Sequence, residues 1–461
     1  MIPLSLAAVA EITGARQHLV TDPAATVDAV VIDSRAAGPG ALFAALPGQR
    51  VDGLDFAPGA VAAGAVAALA TRPAGVPTLV VPDVPAAMAA LASAVVARLP
   101  GLTIAGITGS AGKTTTKDLA AQLVERIGPT VSPHGSFNNE IGHPLTILRV
   151  TAATRYLVLE LSARGQGHIA RQCEIARPSF GIVLCVGRAH AGEFGGLAEV
   201  AQAKGELPAA LPAGGVALLN ADDPRVLAMA GRTAARVVTF GRGPRAAVRA
   251  ADVRLDDQGR PGFTLVTPAG SAPVRLRLFG EHNVTNALAA AALAGELGLA
   301  LPEVADGLSA AVARSRWRME VTQRPDGVTV INDAYNASPE AMAAAIDTLA
   351  VMARGRRSFA VLGPMYELGA QSRAIHEEMG GRAARAGVAG LIVVGEDATP
   401  ILAGAKAEDS WHGELLWVPD VASAVEAAAA RLSPGDVVLV KAAHSAGLER
   451  AALALTGEAA Q

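Results

Sequence analysis

Short apolar segments alternate with helical patterns through most of this 461-residue chain. Five segments in the second quarter of the sequence have the length and composition of buried strands, and helical patterns separate them. Strands that alternate with helices favour a parallel sheet, because each parallel connection needs a crossover that a helix can supply. The alternation therefore predicts an α/β fold. The predicted strands are 104–108, 156–161, 181–186, 216–220 and 237–240.

Interruptions of this pattern divide the chain into three predicted domains. A Pro-Gly pair follows an alanine-rich helical pattern, so the first domain is predicted to cover residues 1–100. Within the second domain, 101–314, residues 246–279 alternate around a Gly-Arg-Pro-Gly sequence, which predicts a small antiparallel sheet. The third domain, 315–461, begins with a predicted hairpin over residues 319–331 and continues as a second doubly wound parallel sheet.

Composition argues against several classes of function. The net charge of -3 and the isoelectric point near 6.3 give no basic excess for binding nucleic acid or an anionic membrane. The first twenty residues lack the basic segment of a signal peptide, and no apolar run is long enough to span a bilayer. We therefore expect a cytoplasmic protein. Cys173 and Cys185 have no metal-ligand spacing and are predicted to be reduced core residues.

Lysine is rare in this chain, with five lysines among the 39 lysine and arginine residues. Arginine is the default cation, so each lysine is a candidate for a role that the bulkier, permanently protonated guanidinium cannot fill. Lys406, in a polar loop, is interpreted as retained by chance. The other lysines are Lys113, Lys117, Lys204 and Lys441.

A glycine-rich loop follows the first of the five predicted strands and precedes a helical pattern. In such a loop, backbone N–H groups and the helix N-terminus can bind phosphate oxygens, the lysine can reach the β- and γ-phosphates, and the following threonine can bind magnesium. The usual pattern has a glycine where this chain has Ile107, and Gly106 lies one residue early. We predict an ATP-binding loop formed by Thr108, Gly109, Ser110, Ala111, Gly112, Lys113, Thr114 and Thr115.

Together with this loop, four further segments make the chain resemble the Mur ligase family over essentially its whole length. The segments are Asp-Ser-Arg at 33–35, Gly-Ser-Phe-Asn-Asn-Glu-Ile-Gly at 135–142, Gly-Glu-His-Asn-Val-Thr-Asn-Ala at 280–287 and Asp-Ala-Tyr-Asn-Ala at 333–337. The resemblance implies an ATP- and magnesium-dependent amide ligase, most similar to the members that add D-alanyl-D-alanine to a UDP-linked muramoyl tripeptide. It also implies an N-terminal UDP-binding α/β domain, a central P-loop domain and a C-terminal Rossmann-like domain.

The resemblance further implies roles for individual residues. Two magnesium ions would be held by Thr114, Glu160, His190 and Lys204, and Lys204 would be N6-carboxylated. Together with Lys113, the last three would form the catalytic set. Further ATP contacts would come from Asn283, Asn286, Arg318 and Asp333, the last two when the third domain closes. The UDP-linked substrate would contact Ser34, Arg35, Asn138 and Asn139, and the acceptor would contact Tyr335, Asn336, Ser338 and His444.

Two alternative functions stay open. One is another ligase of the same superfamily, such as a muramoyl-tripeptide synthetase or a folylpolyglutamate- or cyanophycin-type enzyme. The other is a regulator that binds a nucleotide on the same fold without turning it over. Departures from the family pattern concern mainly the third domain: Ser338 replaces asparagine, Pro364 an acidic residue, and Ala443-His444 a Ser-Arg pair, while Ser162 replaces a glycine of the central domain. We expect a monomer that acts on small-molecule substrates.

Overall fold

A computed structural model describes residues 1–48, 51–188 and 195–458 of the chain. The strands form one two-stranded pair and three larger sheets of five, nine and six strands. Each larger sheet lies within one of the three predicted domains, whose boundaries at residues 100 and 314 stay predictions. The predicted α/β fold, with parallel sheets and an antiparallel section, is confirmed.

The first domain contains the two-stranded pair and a five-stranded sheet. Its strands are β1 (Leu4–Ser5), β2 (Arg16–His18), β3 (Thr26–Val27), β4 (Ala29–Val31), β5 (Ala41–Ala44), β6 (Ala67–Ala70) and β7 (Thr78–Val80). Its helices are α1 (Leu6–Thr13), α2 (Ala57–Ala62) and α3 (Val84–Ala97). The larger sheet has the order β2-β7-β6-β5-β4, and only β2 pairs antiparallel in it.

The second domain is built on the nine-stranded sheet. Its strands are β8 (Thr103–Thr108), β9 (Thr130–Val131), β10 (Tyr156–Glu160), β11 (Phe180–Val183), β12 (Val216–Asn220), β13 (Arg236–Gly241), β14 (Val248–Leu255), β15 (Pro261–Thr267) and β16 (Gly270–Arg275). Its described helices are α4 (Lys113–Val124), α5 (Gly142–Ile147), α6 (His168–Ala176), α7 (Leu197–Lys204), α8 (Glu206–Ala209), α9 (Pro224–Leu227), α10 (Asn283–Glu296) and α11 (Leu301–Ala310).

Strand order places the carboxyl ends of three parallel strands side by side in this sheet. The order is β16-β15-β14-β13-β12-β11-β8-β10-β9, and β15 and β16 extend one edge with antiparallel pairs. Strand β8 lies between β10 and β11, with Glu160 opposite Ile107 and Val183 opposite Thr108. The loops that follow these parallel strands therefore meet at one edge, where open α/β sheets bind ligands.

Helix α3 joins the first domain to the second. Asp83 caps its first turn, and its buried face includes Leu91 and Val95. These side chains belong to the same hydrophobic core as Ile147 of α5 and Ile169 of α6. The first two domains therefore share one core, which fixes their relative position.

The third domain is built on the six-stranded sheet. Its strands are β17 (Glu320–Gln323), β18 (Thr329–Asn332), β19 (Ser358–Leu362), β20 (Gly390–Val394), β21 (Glu414–Val418) and β22 (Val437–Lys441). Its helices are α12 (Pro339–Met352), α13 (Ser372–Arg385), α14 (Pro400–Lys406), α15 (Val421–Ala429) and α16 (Glu449–Thr456). The order is β17-β18-β22-β19-β20-β21, and the predicted hairpin is the antiparallel pair β17-β18.

One predicted strand is shorter than expected. The segment predicted as a strand over residues 181–186 begins at Phe180 and ends at Val183. Beyond Val183 the chain leaves the sheet and bonds to the glycine-rich loop, where the backbone N–H of Ser110 donates to the carbonyl of Cys185 at 3.0 Å. The apolar pattern continues through residue 186 because these residues remain in contact with a core, not because they remain in a strand.

The described helices are short compared with a membrane-spanning helix. The longest helices among the described residues, α3, α10, α12 and α13, have 14 residues each. No helix in these parts of the chain is long and apolar enough to cross a membrane. The cytoplasmic location stays a prediction.

Candidate active site

A cavity of about 1480 Å³ lies at the carboxyl edge of the central sheet. Its walls come from all three domains: Asp83 from the first, residues 110–115 and Glu160 from the second, and Asp333 and Lys441 from the third. Pockets for one small molecule have roughly 300–1000 Å³. This cavity therefore has room for more than one substrate.

Most predicted site residues line this cavity. Those on the wall are Ser110, Ala111, Gly112, Lys113, Thr114, Thr115, Asn138, Asn139, Glu160, Asn283, Asn286, Arg318, Asp333, Tyr335, Asn336 and Ser338. Those not on the wall are Ser34, Arg35, Thr108, Gly109, Lys204 and His444. His190 lies outside the described residues. The structure thus brings together segments that the sequence separates by more than 200 residues.

The glycine-rich loop is held tightly against its surroundings. Gly112 has a φ of +81°, and a Cβ atom there would lie 2.3 Å from Oδ1 of Asn286, so only glycine fits. The next residue, Lys113, begins helix α4, and its Nζ donates to the carbonyl of Gly109 at 2.8 Å. Burial lowers the pKa of Lys113, while the Glu160 carboxylate opposes the shift. The loop presents a helix N-terminus and a lysine to the cavity, which is the arrangement that binds phosphates.

The displaced glycine of the loop pattern has a packing role. Gly106 lies inside β8, and a Cβ atom there would approach Leu161 to 2.9 Å and Leu207 to 3.2 Å. Close packing of the strand accounts for glycine at this position. The departure at Ile107 leaves the phosphate-binding part of the loop intact.

Glu160 is buried at the end of β10, only 2% exposed, and both of its oxygens have partners. The Thr114 hydroxyl donates to Oε2 at 2.8 Å, and the Asn138 amide nitrogen donates to Oε1 at 2.6 Å. Hydroxyl and carboxylate oxygens are the ligands that magnesium prefers, and here they lie side by side next to the loop. The residues present therefore fit a magnesium ion.

Two asparagines at the start of α10 contact each other at the cavity wall. Nδ2 of Asn286 donates to Oδ1 of Asn283 at 2.8 Å, and the Thr116 hydroxyl donates to Oδ1 of Asn286 at 3.2 Å. Nδ2 of Asn283 donates to the carbonyl of Phe279 at 2.7 Å. Neighbours thus hold both side chains, and Asn286 lies against Gly112 of the glycine-rich loop.

Lys204 is the last residue of α7 and is 6% exposed. Burial, followed by the nearby charge of Lys113, lowers its pKa from 10.5 to about 7, while Cys185 and Glu340 act in the opposite direction. A lysine with this pKa holds a substantial neutral fraction at neutral pH, unlike an exposed lysine. The neutral amine is the form that can react with carbon dioxide.

The third domain contributes a buried ion pair to the cavity. Nζ of Lys441, 1% exposed, donates to Oδ2 of Asp333 at 2.5 Å and to the carbonyl of Asn336 at 2.9 Å. The Arg318 guanidinium lies 4.3 Å from the centre of the Tyr335 ring. The Tyr335 hydroxyl also forms a hydrogen bond with the hydroxyl of Ser136 in the central domain. The third domain is thus in contact with the second across the cavity.

Two predicted acceptor residues have partners within the protein. Ser338 caps helix α12, with its hydroxyl accepting from the backbone N–H of Ala341 at 3.2 Å. The ring of His444 is 56% exposed and stacks on the ring of Tyr335, with 5.3 Å between their centres. Ser338 reaches the cavity wall, whereas His444 touches a residue of that wall. A role for either in acceptor binding stays a prediction.

Comparison with known proteins identifies the family. Three domain models match this chain: "Mur ligase family, catalytic domain" at residues 26–113, "Mur ligase middle domain" at 107–294 and "Mur ligase, glutamate ligase domain" at 317–444. UDP-N-acetylmuramoyl-tripeptide--D-alanyl-D-alanine ligase of Mycobacterium tuberculosis is 48% identical over 99% of this chain and 98% of its own length. This chain belongs to the Mur ligase family.

Solved structures agree with this Mur ligase fold over nearly the whole chain. The crystal structure of MurF from Acinetobacter baumannii matches with a TM-score of 0.87 at 30% identity, covering 99% of both chains. MurF ligase from Thermotoga maritima, solved in complex with ADP, matches with a TM-score of 0.79 at 28% identity, covering 94% of this chain and 98% of that one. The three-domain arrangement is therefore that of the MurF structures.

The residues predicted to contact the UDP-linked substrate lie in two places in this Mur ligase. Arg35 follows Ser34 in a short 3-10 turn; its side chain is 87% exposed and is paired with Asp33 at 2.7 Å. Asn138 contacts Glu160, as described above. Asn139 accepts from the backbone N–H of Gly142 at 2.8 Å and so stabilises the start of α5. Ser34 and Arg35 therefore lie outside the cavity, whereas Asn138 and Asn139 lie on its wall.

Sequence reasoning missed several residues of this Mur ligase that bridge the second and third domains. The backbone N–H of Arg188 donates to Oε1 of Glu340 at 2.7 Å, and its guanidinium pairs with both oxygens of Glu378 at 2.7 and 3.1 Å. No motif contains these residues, so no signal in the sequence singled them out. Unlike these residues, Lys441 was already a candidate for a specific role, because lysine is rare in this chain.

Proposed function

We propose that this Mur ligase joins D-alanyl-D-alanine to UDP-N-acetylmuramoyl-tripeptide at the expense of ATP, in peptidoglycan precursor synthesis. The observation that carries the proposal is the single cavity in which the glycine-rich loop, Glu160 and the Asp333–Asn336 segment meet. The name of the Mycobacterium tuberculosis relative, a tripeptide--D-alanyl-D-alanine ligase, favours this acceptor over those of the other superfamily ligases. An intact loop lysine and carboxylate favour an enzyme over a regulator without turnover.

In the first step, the terminal carboxylate of the peptide attacks the γ-phosphorus of ATP, forming an acyl phosphate and releasing ADP. The backbone N–H groups of residues 110–115 and the ammonium of Lys113 hold the phosphates and offset the charge of the transferring group. Magnesium would be held by Thr114 and Glu160, with His190 and Lys204 as further ligands, and would supply charge neutralisation at the phosphates. Arg318 and Asp333 would contact the nucleotide from the third domain.

Lys204 is proposed to act as a carbamate. Its neutral amine attacks carbon dioxide, one N–H proton leaves to solvent, and the nitrogen carries a carboxylate. The side chain thereby changes from a cation to an anion with two oxygen ligands, which arginine cannot do. The pKa of about 7 makes the reactive neutral amine available at physiological pH.

In the second step, the amine of the dipeptide attacks the acyl carbon, phosphate leaves, and an amide bond forms. Tyr335, Asn336 and Ser338 line the cavity and are proposed to contact the acceptor. His444 stacks on the ring of Tyr335 and is proposed to hold it in place. Asn138, which also lines the cavity, is proposed to lie near the UDP-linked peptide. Closure of the third domain would exclude water from the acyl phosphate.

The proposal is tested by measuring phosphate release with UDP-muramoyl tripeptide and a panel of amine acceptors. We expect release to require ATP, magnesium, the tripeptide and D-alanyl-D-alanine together. Replacement Lys113→Ala should lower turnover on the order of a hundredfold or more, as loss of one preorganised charge-stabilising group does. Lys406→Ala, at an exposed lysine, is the matched control. Near-normal turnover by Lys113→Ala, or a clear preference for another amine, would contradict the proposal.

A further inference from the structure

The Asn138 side chain makes a contact that depends on which way its amide faces. Its nitrogen donates to Oε1 of Glu160 at 2.6 Å, while Oε2 of the same carboxylate accepts from the Thr114 hydroxyl at 2.8 Å. If the amide were turned over, Oδ1 of Asn138 would face Glu160, and two acceptors would oppose each other. The carboxylate therefore favours the amide nitrogen, and a donor that binds Oδ1 would reinforce this orientation.

Ser162, two residues beyond Glu160, is placed to do this. Its hydroxyl lies 3.1 Å from Oδ1 of Asn138 and 2.9 Å from the main-chain carbonyl of the same residue. That carbonyl already accepts from Nε2 of Gln172 at 2.6 Å. The hydroxyl has one proton, which Ser162 shares between these two acceptors, and Gln172 supplies the carbonyl with a second donor. A donor on Oδ1 leaves only the nitrogen to face Glu160.

We propose that Ser162 is a positioning residue for the metal-binding carboxylate, acting through the Asn138 amide. With Oε1 of Glu160 occupied by that amide, Oε2 remains beside Thr114 as the oxygen for the cation. This inference rests on the proposed function, since it presumes that Glu160 and Thr114 hold magnesium.

The test measures metal binding without turnover. Manganese(II), titrated in the presence of ADP and followed by electron paramagnetic resonance, reports the affinity of the cation site. Loss of one hydrogen bond in Ser162→Ala should weaken manganese binding about threefold to tenfold. Ser162→Thr keeps the hydroxyl and should bind as the wild type does. Ser179→Ala is the matched control, because that hydroxyl lies outside the cavity, 3.4 Å from the carbonyl of Ile104.

A double-mutant cycle separates positioning from a general structural effect. In an Asn138→Ala background, Ser162→Ala should cause no further loss of manganese affinity, because the residue through which it acts is gone. An equal loss in both backgrounds overturns the proposal, and so does wild-type affinity in Ser162→Ala. Ser162→Gly, which also removes the hydroxyl, repeats the test in a second variant. If the wild-type protein has no ADP-dependent manganese site, the proposed function itself fails.

Discussion

Lys204 is expected to carry a carbamate at neutral pH, and the structure gives a magnitude for this expectation. Burial and the nearby Lys113 bring its pKa from 10.5 to about 7. At pH 7 about half of such an amine is neutral, compared with roughly one part in three thousand for a lysine of ordinary pKa. Carbon dioxide reacts only with the neutral amine, so the reactive population is larger by the same factor. The chain contains four other lysines, and Lys406 is exposed.

The perturbation is a change of pH at constant dissolved carbon dioxide. Because a lysine of lowered pKa becomes protonated as pH falls through 7, its neutral fraction drops about tenfold between pH 8 and pH 6. Carbamate formation also releases a proton, which strengthens the dependence. Protein equilibrated with carbon-13-labelled carbon dioxide should give a carbamate resonance at pH 8 that is strongly reduced at pH 6. Lys204→Arg should remove the resonance, and Lys406→Arg should keep it.

Two results would refute this reasoning. A carbamate resonance that survives in Lys204→Arg would place the modification elsewhere in the chain. An active preparation with no resonance at pH 8 would mean that Lys204 works as an unmodified amine. In the second case turnover should also be insensitive to removal of dissolved carbon dioxide.

Three further predictions follow from single contacts. His143 is fully buried, and burial lowers its pKa to about 4, so as pH falls the unfolded chain takes up a proton before the native one does. The free energy of unfolding, measured by urea unfolding, should therefore fall by about 2 kcal/mol from pH 8 to pH 5. The fall should be smaller in His143→Asn. The pair Arg188–Glu378, about one-third and two-fifths exposed, should show a coupling of about 0.5–1 kcal/mol that disappears at 1 M salt, measured by a double-mutant cycle on unfolding. Gly112→Ala forces a side chain onto Asn286, and should weaken ADP binding at least tenfold in calorimetry.

Each of these has a contrary outcome. Equal pH dependence of stability in the wild type and His143→Asn would mean that other groups govern acid lability. A coupling that persists at 1 M salt would show that the Arg188 contact is not mainly electrostatic. ADP affinity unchanged in Gly112→Ala would contradict the close approach of Asn286.

Local features of the fold and of the loop were predictable from the sequence. Strand–helix alternation predicted parallel sheets because each strand is short, apolar and bounded by breaks. The glycine-rich loop was predictable because its chemistry needs only consecutive residues between a strand and a helix. The prediction of a strand over residues 181–186 was too long. Leu184 still donates to the carbonyl of Thr108 at the end of β8, but the carbonyl of Cys185 accepts from Ser110 in the glycine-rich loop. Apolar pattern alone does not distinguish these two environments.

Contacts between distant segments could not be predicted, because they depend on strand order. Asp333 and Lys441 are 108 residues apart in the sequence. Their contact follows from the parallel pairing of β18 with β22, in which Asn332 lies opposite Val440. The next residue of each strand then forms the ion pair. The rarity of lysine marked Lys441, but nothing in the sequence named its partner. The Ser162–Asn138 contact is hidden for the same reason, since it joins two loops at one sheet edge.

From the distribution of apolar cores we infer that the third domain would be the one to move during the reaction. The first and second domains share a core through α3, α5 and α6, so separating them would expose buried apolar surface. The two cores of the third domain consist of its own buried residues, and the only packed side chain from the second domain is the partly buried Phe279 among the residues described. Its other named contacts with the second domain, through Tyr335, Glu340 and Glu378, are hydrogen bonds or ion pairs that water can replace. We therefore expect rotation of the third domain to cost less than separation of the first two, and it would open the wall that holds Asp333 and Lys441. Substrates would enter in that state, and the polar contacts would re-form when the nucleotide and the acceptor are both enclosed.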